Sequence, residues 1–215
     1  MMNYGRRAVR LLFGLFLFAL GIFFIIQANI GLAPWDAFSM GWSNLTNLSY
    51  GTITIITSLI VLAIAYLLKE KIGFGTILNA LLIGPFVDLF ELFGIVPMMS
   101  NFWLGLLMLF LGQTTICIGS YFYIGAAMGC GPRDALMVAV GKRFPKVPIG
   151  IIRGLIETSV VCTGWLLGAK VGIGTILSAF GVGLILQITF KLLRFDVKSV
   201  KHENVADTVK GVFNS

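Results

Sequence analysis

The chain has 215 residues, of which 58% are hydrophobic and 12% charged, with a formal net charge of +7 and a mean hydropathy of +0.96. A water-soluble domain of this length needs a charged coat that this composition cannot supply, so a bilayer is the expected solvent. The cations stand at the ends of apolar segments rather than on one face of a soluble module, which argues against nucleic acid as a partner.

The first element is the run "LLFGLFLFALGIFFII" behind "MMNYGRRAVR". It imitates a secretory leader, but it is too long for a leader core and no small-x-small cleavage site follows, so an uncleaved span over about 8–30 is expected. The stretch "GLAPWDA", Gly31 to Ala37, comes next. Gly31 lets the chain turn out of a helix, and Pro34 suits the first position of a new one. Asp36 then falls at the third helical position, where a carboxylate can meet free backbone N–H groups and the positive end of the helix dipole. A short helix over 34–47 follows, ending near Asn44-Leu45-Thr46 and Asn47-Leu48-Ser49, which read as capping and loop chemistry.

Spans are expected at 50–68 and 73–93, the second opening on "GFGTILNALLIG". A span over 102–127 leads into "GCGPRDA", Gly129 to Ala135, which starts a second short helix over 132–143. Spans at 149–169 and 172–193 complete the set. Each run approaches the ~20 residues needed to cross ~30 Å of hydrocarbon. The two short helices either lie in the interface or re-enter the membrane. Residues 1–7 are a cytoplasmic N-terminus, and the polar tail 195–215 is a short cytoplasmic or interfacial helix.

Six spans place Arg6, Arg7, Arg10, Lys69, Lys71, Arg133, Lys142, Arg143, Lys146, Arg153 and every cation from Lys191 onward on one side, leaving Lys170 on the other. The positive-inside rule then puts both termini in the cytoplasm. The sequence also repeats itself. Slid by 98 residues, Gly14 meets Gly112, Gly21 meets Gly119, Gly31 meets Gly129, Pro34 meets Pro132 and Asp36 meets Asp134. After a one-residue shift, Gly51 meets Gly150 and "GFGTILNALLIG" meets "GIGTILSAFGVG". The repeats are 8–97 and 98–194, and an odd number of spans in each makes them inverted in topology. The expected fold is thus an all-α polytopic membrane protein of six transmembrane helices. Its two inverted three-helix repeats each carry a short broken or interfacial helix after the first span.

Ionisable groups inside spans cost at least ~2.5 kcal/mol at the bilayer centre, so they should be paired or face a cavity. Arg153 and Glu157 are four residues apart on one helical face, either as a structural ion pair or as part of a gate or anion site with Arg133 and Asp134. Asp36, Asp88 and Trp35 form the expected outer counterpart. Gln187 occupies the position matching Asp88, and Asn79 matches Ser178 as a midplane hydrogen-bonding group. For each Pro-x-Asp, plain helix capping and a solute site stand level. The duplication favours the second, because broken helices at corresponding positions point to transporter sites. "GxGT" at Gly73–Thr76 and Gly172–Thr175 reads as helix packing and capping, not a phosphate loop. Trp42, Tyr50 and Trp103 read as interfacial aromatics. Cys117, Cys130 and Cys162 show no metal or disulfide spacing, and His202 is the one histidine. No metal and no cofactor are expected. No nucleophile with a base stands out, so the chain is not expected to be an enzyme.

"QANIGLAPWDAF", "GFGTILNALLIGPFVDLF", "GCGPRDALM", "IRGLIE" and "VGIGTIL" resemble the bacterial YczE/YitT-type integral membrane protein family, the YczE branch in particular. The resemblance implies a small polytopic protein of the bacterial cytoplasmic membrane and carries no catalytic residues. Two functions follow as expectations. The first is a transporter or permease for a small solute or ion, anionic or zwitterionic by Arg133 and Arg153, working by alternating access. The second is a non-catalytic accessory or scaffold for a membrane protein partner. A homo-oligomer is compatible with either.

Overall fold

A computed structural model describes residues 4–197, 200 and 202–213. The described residues form α1 (Tyr4–Ala28), α2 (Pro34–Thr46), α3 (Tyr50–Leu67), α4 (Phe74–Leu92), α5 (Phe102–Gly125), α6 (Pro132–Arg143), α7 (Ile149–Leu166), α8 (Ile173–Leu192) and α9 (Val205–Phe213). Six of them, α1, α3, α4, α5, α7 and α8, are long and apolar enough to cross a membrane. Large side chains such as Leu92, Leu107, Leu155 and Phe180 stand on the outer surface, where acyl chains satisfy them and water would not.

The spine is α1 against α5. Gly14 faces Gly119 and Gly21 faces Gly112, so the two backbones come close enough that any Cβ would strike the opposite helix. Leu11, Leu15, Ile22 and Phe23 of α1 then pack with Ile83, Val87 and Phe90 of α4 to make the main core. The short helices pack crosswise. Gly41 of α2 sits on Gly164 of α7, and Ala135 and Ala139 of α6 sit with Ala65 of α3.

Both helix breaks have the same geometry. Gly31 and Gly129 each hold φ 126°, a conformation that favours glycine, and Asn29 and Ala127 each hold φ 58°. The carbonyls freed by each break are taken up by the other half of the chain. Gly75 N–H donates to Met128 O (2.7 Å) and Gly174 N–H to Ile30 O (2.9 Å). Thr76 and Thr175 accept from the N–H of Gly73 and Gly172 at 3.3 and 3.2 Å. The GxGT motif is therefore a socket for the opposite break, with threonine capping its own helix.

The first helix begins at Tyr4, four residues earlier than expected, and takes Arg7 into the buried interior. The reason is the open end of α5: Arg7 Nε donates to Ala126 O (2.9 Å) and Nη2 to Ala127 O (3.1 Å), while Nη1 pairs with Glu203 at 2.7 Å. The tail is tied down as well, with Glu203 N–H donating to Ala127 O and Val205 N–H to Ile72 O. Lys198 and Lys201, part of the charge reading, lie outside the described residues.

Candidate functional site

The two short helices start in the interior and run outward. Pro34, Asp36 and Ala37 are buried while residues 44–49 are exposed; Pro132 and Ala135 are buried while residues 142–150 are exposed. Their N-terminal ends meet a cavity of about 220 Å³ in the middle of the fold. Of the candidate residues, Trp35, Asp36, Asn79, Arg133, Asp134, Arg153 and Glu157 all line it.

This merges what the sequence separates. Asp36 and Arg133 were expected on opposite sides, yet Arg133 Nη2 lies 3.4 Å from Asp36 Oδ1, and its guanidinium stacks over the Trp35 ring at 5.3 Å. The physical cause is the inward direction of both short helices, which brings the two Pro-x-Asp starts to one place. Asp36 is only 2% exposed. Its carboxylate turns away from its own helix end, accepting from Tyr50 Oη at 3.0 Å as well as from Arg133, and Ala33 at the N-cap has no side-chain cap bond. The capping role expected of Asp36 is thus replaced by an ion pair and a phenol hydrogen bond. Tyr50 is correspondingly not an interfacial aromatic. The turn at 47–49 folds α3 back on α2 and buries the ring.

Asp88 and Gln187 are corrections too, because neither lines the cavity. Asp88 Oδ1 accepts from Gly51 N–H at 2.7 Å, so the carboxylate caps the N-terminus of α3 and fastens it to α4. Gln187 is exposed. One turn along the helix from the cavity is enough to remove both.

Asp134 is the opposite of Asp36. It takes no hydrogen bond or ion pair from another described residue, and it opens to the cavity beside Asn79. Asp134 is exposed on the open wall of the cavity, and the partial loss of bulk water there raises its carboxyl above the usual aspartate range, with Arg153 and Arg133 opposing the shift and Glu157 reinforcing it. Arg153 Nε holds Glu157 Oε1 at 2.7 Å, the pair expected from the i, i+4 spacing.

Further polar groups line the cavity beyond the candidate residues. Gln113 Oε1, Tyr123 Oη and Ser178 Oγ line the cavity with no hydrogen-bond partner, at 0, 4 and 3% residue exposure. A lone glutamine inside the apolar run "LFLGQTTICIG" was the available signal for Gln113. Phe18, Ile22, Ile83 and Ile116 supply apolar wall. Among the described residues no group of His, Cys, Asp or Glu is arranged to hold a metal ion. The Cys130 thiol, at the second break, is pushed up to about 11 by burial and stays protonated at neutral pH.

Residues 5–191 match the model of a family of unknown function, DUF6198. The chain is 32% identical to the uncharacterized membrane protein YczE of Bacillus subtilis, over 82% of this chain and 81% of that one. It is 31% identical to an uncharacterized protein of Haemophilus influenzae over 85% of this chain and 83% of that one. The uncharacterized protein YyaS of Bacillus subtilis is 26% identical over 81% and 88%. No solved structure matches.

Proposed function

The chain belongs to the YczE-type membrane proteins of the DUF6198 family, and on that premise we propose that it is a small-solute transporter working by alternating access of two inverted-topology repeats. One observation carries this reading. In the first half, α3 lies along α4 with Gly51 against Gly84 and Asp88 on the α3 terminus. The corresponding residues of the second half are Gly150, Gly183 and Gln187. There, a Cβ on either glycine would meet nothing within 4 Å. Helix α7 is 11% buried against 39% for α3, its counterpart.

Two copies of one design thus stand in two arrangements, one packed and one splayed. A protein able to exchange them would open the central cavity first at one end and then at the other. With both termini cytoplasmic, the orientation the positive-inside rule favours, the splayed α7–α8 end faces the cytoplasm of a bacterial cell and the packed α3–α4 end faces out. The cavity between the breaks is the solute site, with the residues of both Pro-x-Asp starts as its polar floor, and no chemical step is assigned to it.

The test is flux. Purified protein in proteoliposomes is offered pools of labelled amino acids, organic acids and cations, with D134N as control. Substrate-specific uptake lost in D134N is expected. A membrane accessory role is the alternative, favoured by the exposed face of α7 (Ile151, Leu155, Trp165). It takes over if no pool moves and one stable partner co-purifies through that face.

A further inference from the structure

The cavity has a chemical polarity that goes beyond transport in general. Its wall carries three carboxylates, Asp36, Asp134 and Glu157, and two guanidiniums, Arg133 and Arg153. Arg133 is engaged with Asp36 and Arg153 with Glu157. Asp134 is left without an ion-pair partner among the described residues, and it stands exposed on the cavity wall, where a ligand can reach its carboxylate. What this corner lacks is a cation.

The other corner lacks an acceptor. Helix α2 begins at Pro34, which has no N–H, and its first helical hydrogen bond is Ala37 N–H to Ala33 O at 2.8 Å. The N–H groups of Trp35 and Asp36 therefore have no acceptor within the helix. Asp36 does not compensate them, because its carboxylate is bonded to Tyr50 and Arg133. At α6 the situation differs: a Cβ on Gly131 would lie 3.6 Å from Asp134 Oδ2, so a carboxylate already stands at that helix start. The α2 start, with the Arg133 guanidinium held beside it on Trp35, is the open anion end.

An independent pointer to a polar ligand is the set of buried groups that line the cavity without a protein partner. Gln113 Oε1 can only accept, while Tyr123 Oη and Ser178 Oγ can donate or accept. Groups this deeply buried are normally satisfied. At about 30 Å³ per molecule, the 220 Å³ holds roughly seven waters, or one solute of amino-acid size against the Ile22, Ile83 and Ile116 wall.

We infer that the cavity binds a small zwitterion with an apolar body, its ammonium on Asp134 and its carboxylate at Arg133 and the N-terminus of α2. This rests on the transport reading and names its substrate class. A neutral zwitterion offers a partner to both corners and leaves the formal charge of the lining, three carboxylates against two guanidiniums, unchanged.

The experiment uses the full chain in detergent and equilibrium binding of three probes with the same isobutyl or isopropyl body: L-valine, isobutylamine and isovalerate. The other standard amino acids are then tested singly. At least one amino acid should bind ten times more tightly than either half-ligand. D134N should weaken that amino acid at least tenfold and leave isovalerate unchanged, whereas R133Q should do the reverse for isobutylamine. Monodisperse elution of each variant shows that it folds, and R133Q keeps the test decisive if D134N does not. Isovalerate binding as tightly as valine, amino-acid binding unchanged in D134N, or no binding by any amino acid overturns the inference. Flux of some other solute in proteoliposomes alongside any of these results would leave transport standing and remove only the zwitterion.

Discussion

Replacing Gly84 by valine probes the packed end of the molecule. A Cβ at this position would strike the Gly51 carbonyl, with the Gly51 α-carbon at 2.9 Å, and helix backbone cannot swing aside as a side chain would. Overpacking of this kind costs ~1–3 kcal/mol. Taking about 2 kcal/mol, the packed α3–α4 arrangement loses roughly thirtyfold in population against any arrangement in which the glycines separate. For a chain of this size the same energy lowers Tm by about 4–8 °C if no alternative exists. Gly183→Val is the internal control, since nothing lies within 4 Å of that position, and its effect should stay within about 0.5 kcal/mol. Thermal unfolding in detergent measures the first quantity. Spin labels at the exposed Ile151 and Ile188 measure the second, through the distance across the splayed end. If the halves exchange roles, G84V shortens that distance while G183V holds it long. Equal destabilisation by the two valines, with one unchanging distance, would refute both the packing asymmetry and the exchange built on it.

Other substitutions test the site and its supports. Tyr50→Phe removes a hydrogen bond to the buried Asp36 carboxylate and should cost about 1.5–3 kcal/mol in thermal unfolding; a loss below 0.5 kcal/mol would mean the bond carries no weight. Arg7→Gln strips Ala126 O of its guanidinium donor and leaves Ala127 O with the Glu203 N–H alone, and should cost roughly 2 kcal/mol, whereas Glu203→Gln, which weakens the partly exposed ion pair and keeps an acceptor for Thr208 Oγ1, should cost less than about 1 kcal/mol. The raised Asp134 carboxyl gives a signed pH dependence. Its stabilising contribution is fully present below the ordinary aspartate pKa and is lost as pH rises through the higher folded value, so the ligand-free wild type should gain on D134N as pH falls through that window. Arg153, Arg133, Glu157 and His202 are the charged or titratable groups acting on it, and parallel pH profiles for wild type and D134N would contradict the shift. For orientation, single cysteines replacing Asn44 and Lys146 in a cysteine-free background should react with an impermeant thiol reagent in intact cells at 44 only. Reaction at 146 would reverse the sidedness.

Much was legible in the chain itself because the relevant physics is local. The apolar runs give six helices of bilayer length, and the Gly-x-x-Pro-x-Asp breaks place α2 and α6 within a residue of where they stand. The offset of 98 pairs Gly31 with Gly129, and both hold φ 126° because each must leave a helix in the same way. The Arg153–Glu157 contact follows from helical spacing alone. Direction in space is not local. Nothing in "GLAPWDA" says that α2 points its start inward, and only that choice sets Asp36 against Arg133, turns Tyr50 from a surface aromatic into a ligand of the carboxylate, and leaves Asp134 without a partner. Asp88 and Gln187 share the sequence register of the site, yet a turn of helix puts them elsewhere. Nor can two segments that share their glycine positions announce which of them is packed and which is splayed. That difference between Gly51–Gly84 and Gly150–Gly183 lies in how the helices lean on one another, an energy summed over long-range contacts that local sequence does not encode.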